Sequence, residues 1–495
     1  MKKLLFLLLF SLCVLCSCAL SDNTQLNGEN LTNYTMQIDF DCTNKTLKAT
    51  QTVDYINSTE IVLRQIKFHL YPNAFSVKDG KQKVVSEYNF DRAYPHGFDA
   101  GFVQINSVTN AQNQTMQYDL EGSENNIICV NLENPLYPTE RTIINMQFDV
   151  KIPNILHRFG YGENTINVGN FYPVACVYEN GDFVTDGYHY NGDPFYSEMA
   201  NYSCTISYSS NYTIGVTGKS ETTQNNGIKT TKSTASVVRD FAFILSDKFT
   251  TLQQKDSSGK VDLIYLYYDD ENPSDTMRLM NDCLSTFSSL IGLYPYSTLT
   301  VSQSNFLHGG MEYPNLVFIS DAPMSRDDYN TVVVHEIAHQ WFYNLIGNNE
   351  YSEAWLDEGL TEYATVLFFE NNSSYNIDAD KMVGNMLSSY LLFVDVYTDV
   401  FGSLDTSMNR RLCDYASEPE YTYCVYIKGV LMLDNLRDMI GDSAFFLGLK
   451  NYYSENCYKI AKQDNFISAF QKASNKDIDK IIKSWLDGSI ILQKT

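Results

Sequence analysis

The segment of residues 331–362 constrains this chain more than any other, because it places metal-binding side chains inside an apolar helical run. It contains the sequence HEIAH, from His335 to His339. Histidines at positions i and i+4 share one face of a helix, so both imidazoles can reach a single metal ion. A catalytic zinc needs a third protein ligand and an open position. Glu358, in WLDEG, offers that ligand, with 18 residues between it and His339.

Two helices must therefore converge on one point, with Gly347 in the loop that turns the chain back and the second helix beginning at about Ser352. Glu336 follows the first histidine and would point at a water molecule on the metal. That is the place of a general base. The sequence predicts one Zn²⁺ per chain, although the same ligands would also accept cobalt or manganese in vitro.

The motif set resembles the gluzincin metallopeptidases of the aminopeptidase N and leukotriene hydrolase family. HEIAH, the 18-residue spacer and WLDEG match in order and spacing. Upstream, GGMEYP from Gly309 to Pro314 looks like the family's Gly-x-Met-Glu-Asn exopeptidase motif, with Tyr313 in place of the asparagine. Downstream, YIKG from Tyr426 to Gly429 looks like the family's Tyr-x-Lys-Gly motif.

The resemblance implies a role for each matched residue. Tyr426 would donate to the oxyanion that forms on the scissile carbonyl, as a phenol can do without competing for the metal. Glu312 would pair with the free N-terminal ammonium of a peptide, since a buried carboxylate needs a cation. The expected site comprises the metal ligands His335, His339 and Glu358, the catalytic Glu336 and Tyr426, and the substrate-binding Gly309, Gly310, Met311 and Glu312.

Several of these assignments have alternatives in the sequence. Tyr415, Tyr421 and Tyr423 lie near Tyr426, but only Tyr426 precedes the Lys-Gly pair. Glu312 would otherwise be a turn or surface carboxylate that follows two glycines.

Carboxylates beside the ligands raise a second question. Asp357 and Glu362 would either contact the metal ligands or lie exposed on their helix. The family also uses a Gln or Glu of its β domain for the ammonium. Asn170 and Glu179 are only neighbours of the expected region, and residues 169–181 resemble the part that approaches the active site.

The periodicity of the chain predicts a multidomain β then α+β fold. Alternating apolar residues mark short antiparallel strands over residues 22–250, including 61–70, 143–152 and 241–245. A polar linker is expected at 248–259, and three- and four-residue apolar spacing predicts helices after residue 370. We place a β-rich N-terminal domain at 22–250 and a thermolysin-like zinc peptidase domain at 251–495, a two-domain form without the C-terminal helical domain of larger relatives.

Charge and the N-terminus bear on location and partners. The 495 residues carry a formal net charge of −24, which argues against a nucleic-acid partner. Residues 1–18 combine a basic start with a short apolar run and a lipobox-like end at Cys18, typical of an exported lipoprotein. The alternative is an ordinary signal peptide and a secreted protein. In an exported chain some of the eight later cysteines could pair, Cys413 and Cys424 being nearest in sequence.

Three functions remain open at this point. The first is a zinc aminopeptidase that removes N-terminal residues from peptides with a free N-terminus. The second is a zinc endopeptidase of the same fold, in which Glu312 does not select a free amine. The third is a peptide-binding surface protein that has kept the fold without turnover, although all three ligands and the base are present.

Overall fold

The computed structural model of the protein describes residues 26, 28–490 and 492. The predicted leader and its lipobox at 1–18 lie outside the described residues. The predicted fold class is confirmed, because a β-rich N-terminal part is followed by a mostly helical part. The change from one to the other falls between Ser246 and Thr250, where one sheet ends and the next begins.

The N-terminal part is built from strands whose alternating pattern buries one face. In the first strand Met36, Ile38 and Phe40 are buried, and the residues between them are exposed. The strands are β1 Thr32–Asp41, β2 Thr46–Ile56, β3 Leu63–His69, β4 Phe102–Asn110, β5 Tyr118–Glu121, β6 Ile127–Leu136, β7 Arg141–Lys151, β8 Phe159–Tyr161, β9 Ile166–Val168, β10 Val174–Ala175, β11 Tyr178–Glu179, β12 Asp182–Phe183, β13 Ala200–Ser209, β14 Thr213–Val216, β15 Lys219–Asn225, β16 Ile228–Val238 and β17 Phe243–Ser246.

These strands form one large sheet and three smaller ones. The large sheet has the order β15-β16-β13-β1-β2-β7-β4, in which β1 pairs parallel with β13 and antiparallel with β2. Two four-stranded sheets have the orders β10-β3-β6-β5 and β14-β17-β9-β8, and β11 pairs with β12. The short strands β8 to β12 and the loops between them face the C-terminal part.

The C-terminal part begins with a five-stranded sheet of order β18-β19-β20-β22-β21, whose three central strands are parallel. Its first strand overturns the prediction of a linker at 248–259: β18 is an edge strand, and such a strand can be polar because one side faces solvent. The opposite edge carries the start of GGMEYP. The strands of this sheet are β18 Thr250–Lys255, β19 Asp262–Tyr267, β20 Thr298–Ser304, β21 Gly310–Met311 and β22 Leu316–Ser320. Two further strands, β23 Ile346–Gly347 and β24 Lys459–Ile460, pair with each other in parallel.

Helices pack against this sheet and then against each other. They are α2 Pro273–Leu290, α3 Arg326–Ala338, α4 Glu358–Asn371, α5 Ala379–Phe401, α6 Glu418–Thr422, α7 Lys428–Ile440, α8 Asp442–Asn456, α9 Gln463–Ser474 and α10 Asp479–Leu486, while the short helix α1 Phe90–Ala93 belongs to the β-rich part. The helix expected from about Ser352 starts at Glu358 instead, after the 3-10 turn Ala354–Leu356. Among the helices of the described residues, none combines the length and the apolarity needed to span a membrane.

A buried arginine joins the two parts of the chain. Arg239 is 2% exposed, and its Nε donates to the carbonyl of Tyr343 at 2.7 Å. Its Nη1 donates to the carbonyl of Ser197 at 2.9 Å, and its Nη2 to the carbonyl of Lys459. One guanidinium thus fixes the β-rich part to the segment that follows α3 and to β24, using the forked geometry that only arginine offers.

The cysteines do not form the disulfides that the sequence left possible. Between residues 28 and 490 all eight are free thiols, with Cys413 exposed and Cys424 buried. Their nearness in sequence does not make these two cysteines partners, because Cys413 lies at the surface and Cys424 in the core. The eight are Cys42, Cys129, Cys176, Cys204, Cys283, Cys413, Cys424 and Cys457.

Candidate active site

The two helices that carry the predicted ligands are positioned by their own N-terminal caps. Ser325 caps α3, its hydroxyl accepting from the backbone N–H of Asp328 at 3.1 Å. Asp357 caps α4, its carboxylate accepting from the backbone N–H of Glu358 at 2.9 Å. Helix α3 therefore presents both histidines near its C-terminal end, and α4 presents Glu358 at its first residue.

The three predicted ligands converge at the bottom of the cleft. The Nε2 atoms of His335 and His339 lie 3.2 Å apart. Glu358 Oε2 lies 3.3 Å from His335 Nε2 and 3.2 Å from His339 Nε2. Ligand atoms at ~2.0–2.1 Å from a tetrahedral zinc are about 3.3 Å from one another. The donor set therefore fits one zinc ion.

Hydrogen bonds to the other ring nitrogens settle which nitrogen each histidine offers. His335 Nδ1 lies 2.7 Å from Glu362 Oε2, and His339 Nδ1 lies 3.0 Å from the carbonyl of Phe342. Both Nδ1 atoms must carry the proton in order to donate, which leaves both Nε2 lone pairs for a metal. Burial alone would raise the pKa of Glu358, but His339 and His335 hold that pKa below its ordinary value. An ionised carboxylate is what a cation requires.

Glu362 contacts a ligand and Asp357 caps the helix of another, so neither is the exposed helix carboxylate of the alternative interpretation. We expect Glu362→Ala to weaken zinc affinity by about 10–100-fold, because His335 loses the acceptor that orients its ring. Competition with a calibrated chelator measures this directly. Glu362→Gln keeps an acceptor oxygen and should fall between the parent and the alanine variant; equal affinity in all three proteins would contradict the role.

Glu336 lies beside the ligands without joining them. Its side chain is buried, and its Oε2 makes no hydrogen bond among the described residues. Burial and the neighbouring Glu312 raise the pKa of Glu336 to about 8. A Cβ at Gly310 would lie 2.5 Å from the Glu336 carboxyl carbon, so this glycine of the motif is needed to leave the carboxylate room. Glu336 lines the cleft, where its carboxylate can take a proton.

Tyr426 reaches the site from a π-helical turn, Tyr423–Ile427, between α6 and α7. Its hydroxyl donates to Glu358 Oε1, and its ring stacks on His335 with 5.9 Å between centroids. Among the competing tyrosines, Tyr415 bonds the carbonyl of Met408 and Tyr423 stacks on Phe393, both away from the ligands. Tyr421 also lines the cleft, with no hydrogen bond to its hydroxyl among the described residues, and was not anticipated.

Glu312 lies at the closed end of the same cleft. It is 3% exposed, its Oε1 makes no hydrogen bond among the described residues, and burial raises its pKa. One of its carboxylate oxygens lies within 4.8 Å of ligand-type atoms of both Glu336 and His339. Gln340 fixes the backbone here, its Nε2 donating to the carbonyls of residues 312 and 313 at 3.2 Å. Glu312 is thus a buried carboxylate that forms no direct ion pair among the described residues, although the nearby His339 and Arg158 act to lower its pKa.

One detail of the predicted site is wrong. Gly309 and Gly310 line the cleft, but Met311 is 1% exposed and packs in the hydrophobic core, because alternate residues of β21 face opposite ways. Residues 169–181 approach the site without lining the cleft, since Asn170 contacts Tyr313, which follows Glu312. Glu179 pairs with Lys462.

The β-rich part lines the cleft through residues that the sequence did not single out. The cleft has a volume of about 470 Å³. Arg158 and Asp193 form a nearly buried ion pair in its wall. No motif marks these residues, since they come from loops that are distant in sequence. The main contributors are His157, Arg158, Tyr188, Asn191 and Asp193.

Comparison with known proteins matches the same region. The peptidase family M1 domain matches residues 275–485. Glutamyl aminopeptidase of Bitis rhinoceros is 27% identical over 192 residues, which is 38% of this chain and 18% of that protein. Aminopeptidase N of Lactococcus lactis subsp. lactis is 30% identical over 175 residues (35% and 20%), and aminopeptidase B of Rattus norvegicus 28% over 219 residues (41% and 32%). The matched stretch thus spans a third or less of these relatives' lengths.

Solved structures match over almost the whole chain. A mutant M1 zinc metallopeptidase from Deinococcus radiodurans superposes with a TM-score of 0.63 at 17% identity, covering 94% of this chain and 96% of that one. The mutant bound to a Tyr-Ser-Ala substrate gives a TM-score of 0.64 at 16% identity, with the same coverage. At this identity the likeness establishes the two-domain fold.

The fold and the site define a class of protein. A β-rich domain precedes a helical domain in which HExxH lies on one helix and the third ligand begins the next, and this combination defines the gluzincin metallopeptidases, whose metal is zinc. Within that class, residues 275–485 match the peptidase family M1 domain, and the relatives that match this part of the chain include aminopeptidase N and aminopeptidase B.

Proposed function

We propose that this protein is a zinc aminopeptidase that hydrolyses the first peptide bond of peptides with a free N-terminus. The observation that carries the proposal is the position of Glu312. A buried carboxylate with an unpartnered oxygen is costly, and its free energy falls when a cation binds. Because Glu312 lies next to Glu336 and His339, an ammonium bound to it would set the first peptide bond over the metal ligands.

The chain's own residues supply the remaining steps. His335, His339 and Glu358 would hold zinc, which when bound acts as a Lewis acid toward the scissile carbonyl and makes water more acidic. Glu336 Oε2 accepts the proton of the attacking water and then delivers it to the leaving amine. The hydroxyl of Tyr426 turns from Glu358 to donate to the oxygen that becomes negative.

The proposal is tested with paired peptides, each supplied with a free and with an acetylated N-terminus, incubated with the chain from Ala19 onward. We expect single residues to be lost from the free-amine peptides only, and a chelator to abolish this cleavage until zinc is returned. The reason is that acetylation removes the positive charge that Glu312 needs. Products are identified by mass spectrometry.

The two other candidate functions make different products. An endopeptidase would cut internal bonds regardless of acetylation, and a silent binding protein would cut nothing despite bound zinc. Glu312→Gln is the matched variant, since it keeps the shape and removes the charge. It should lose most of the selectivity for free amines, and unchanged selectivity would count against the assignment of Glu312.

For the location, we propose export and attachment at the cell surface through a lipid at Cys18, with secretion as the alternative. Support comes from the leader alone, namely its basic start, its short apolar run and the sequence Leu15-Cys16-Ser17-Cys18. Cys18→Ser should move the protein from the membrane fraction to the soluble fraction of the expressing cells. An unchanged distribution would favour an ordinary signal peptide.

A further inference from the structure

Tyr313, which follows Glu312, is the one residue of GGMEYP that departs from the family's motif. Its side chain extends from the catalytic domain into the β-rich part. The ring is fully buried, at 0% exposure. Its hydroxyl donates to Asn170 Oδ1 at 2.6 Å, in the β-rich part. A tyrosine can make this contact because it is several ångströms longer than an asparagine.

The β-rich part has a site shaped for that hydroxyl. Asn170 adopts a positive φ of 50°, which asparagine tolerates better than most residues. A Cβ on the preceding Gly169 would clash with the Tyr313 hydroxyl, so only glycine leaves space there. The turn therefore depends on a glycine at position 169 and on a residue that tolerates a positive φ at position 170, and the tyrosine contacts both positions.

The hydrogen bonding continues deeper into the β-rich part. The Nδ2 of Asn170 donates to Asp240 Oδ2, and Asp240 Oδ1 accepts from the hydroxyl of Tyr172 at 2.9 Å. Asp240 Oδ1 also accepts from the backbone N–H of Phe241 at 2.6 Å. Burial raises the pKa of Asp240 to about 7. Each member is buried and hydrogen-bonded, so the chain of contacts is stiff.

On its other side, the backbone at residues 312–313 is held by Gln340, which adjoins the ligand His339. The position of Glu312 is therefore fixed from two sides. On one side is Gln340, just beyond the end of α3. On the other side are Tyr313, Asn170 and Asp240, which we call the cross-domain network.

We propose that the cross-domain network positions Glu312 for the substrate ammonium, with Tyr313 as the positioning residue and Asn170 and Asp240 as its supports. The inference rests on the proposed aminopeptidase function. It makes the β-rich domain part of the machinery that recognises the amine without contributing a group that touches it. Small displacements of a binding group are costly, about 10²-fold for ~1 Å in favourable cases.

The test uses Tyr313→Phe, which removes one oxygen and leaves the ring in place. The matched control is Tyr208→Phe, since Tyr208 is 2% exposed and its hydroxyl lies 2.9 Å from Thr231 Oγ1 in the large sheet, away from the cleft. Both variants are made in the zinc-loaded parent and in a Glu336→Gln background, in which a free-amine tripeptide should bind without turnover.

We expect Tyr313→Phe to weaken tripeptide binding by about tenfold in the Glu336→Gln background and to raise KM in the active background, with kcat within about twofold. Tyr208→Phe should change neither value. Asp240→Asn acts from the far end of the network and should give a smaller loss that does not add to that of Tyr313→Phe. It also replaces Tyr313→Phe if that variant does not fold.

Each possible result either supports or overturns the positioning role of Tyr313. Equal binding in the Tyr313→Phe and Tyr208→Phe proteins overturns the positioning role while the aminopeptidase assignment stands. A loss of kcat and of zinc with KM unchanged would show a merely structural contact, and also overturns it. If the parent neither cleaves nor binds free-amine peptides, the proposed function fails first, and the positioning role fails with it.

Discussion

Glu336→Gln is expected to lower kcat by at least about 10³-fold, the largest effect of any single substitution on turnover. The amide has the shape of the carboxylate but cannot take a proton from water. Glu312 also has a free buried oxygen beside the ligands, but we assign that carboxylate to the substrate ammonium, and Glu358 is itself a ligand. The rate is measured with a free-amine peptide under zinc saturation.

Zinc content separates loss of the base from loss of the metal. Because Glu336 is not one of the three converging ligands, the Glu336→Gln protein should still hold one zinc per chain and bind peptide. Glu133→Gln, at an exposed position of β6 in the β-rich part, serves as the control and should leave kcat unchanged. A Glu336→Gln enzyme within tenfold of the parent rate would mean that another group accepts the proton.

Arg239→Met is expected to cause the largest loss of stability, about 3 kcal/mol or more in the free energy of unfolding. Methionine fills a similar volume but donates no hydrogen bonds. Three carbonyls, those of Ser197, Tyr343 and Lys459, would then lose their donor where the two parts of the chain meet. Urea denaturation followed by tryptophan fluorescence measures the effect.

Arg278→Met on α2 provides the comparison for the stability measurement. Arg278 is exposed and pairs with Asp275 one helical turn away, an interaction worth roughly 0–1 kcal/mol. The Arg278→Met protein should therefore unfold close to the parent. If Arg239→Met were as stable as Arg278→Met, the two parts of the chain would be held together by apolar packing rather than by the guanidinium.

The metal centre could be predicted from sequence because its information is local. The spacing of His335 and His339 places both on one helix face. Glu358 follows in the next helix, with 18 residues between it and His339. Arg158 and Asp193 could not be predicted, since they belong to loops whose approach to the cleft depends on how the two domains pack. Sequence patterns report periodicity along one element and carry no signal for such contacts.

Errors in the predicted elements have similarly physical causes. The polar sequence of Thr250–Lys255 predicts a linker, because an edge strand can expose polar residues on both of its faces. Met311 was assigned to the substrate because the motif names it, whereas in a two-residue strand next to a buried one its side chain faces the core. The helices predicted after residue 370 include a π-helical turn at Tyr423–Ile427, which apolar spacing cannot distinguish from a regular helix.

That π-helical turn has a consequence for how the enzyme can change. The turn at Tyr423–Ile427 accommodates one residue more than a regular helix would between α6 and α7. Deleting one residue there would restore regular α-helical hydrogen bonds and rotate Tyr426 by about 100° around the helix axis, away from Glu358. A shorter chain could thus be more stable and yet inactive. The protein has a less favourable backbone in this turn, and a single phenol thereby lies at the metal site. Stability is exchanged for activity through the number of residues in the turn rather than through the choice of a side chain.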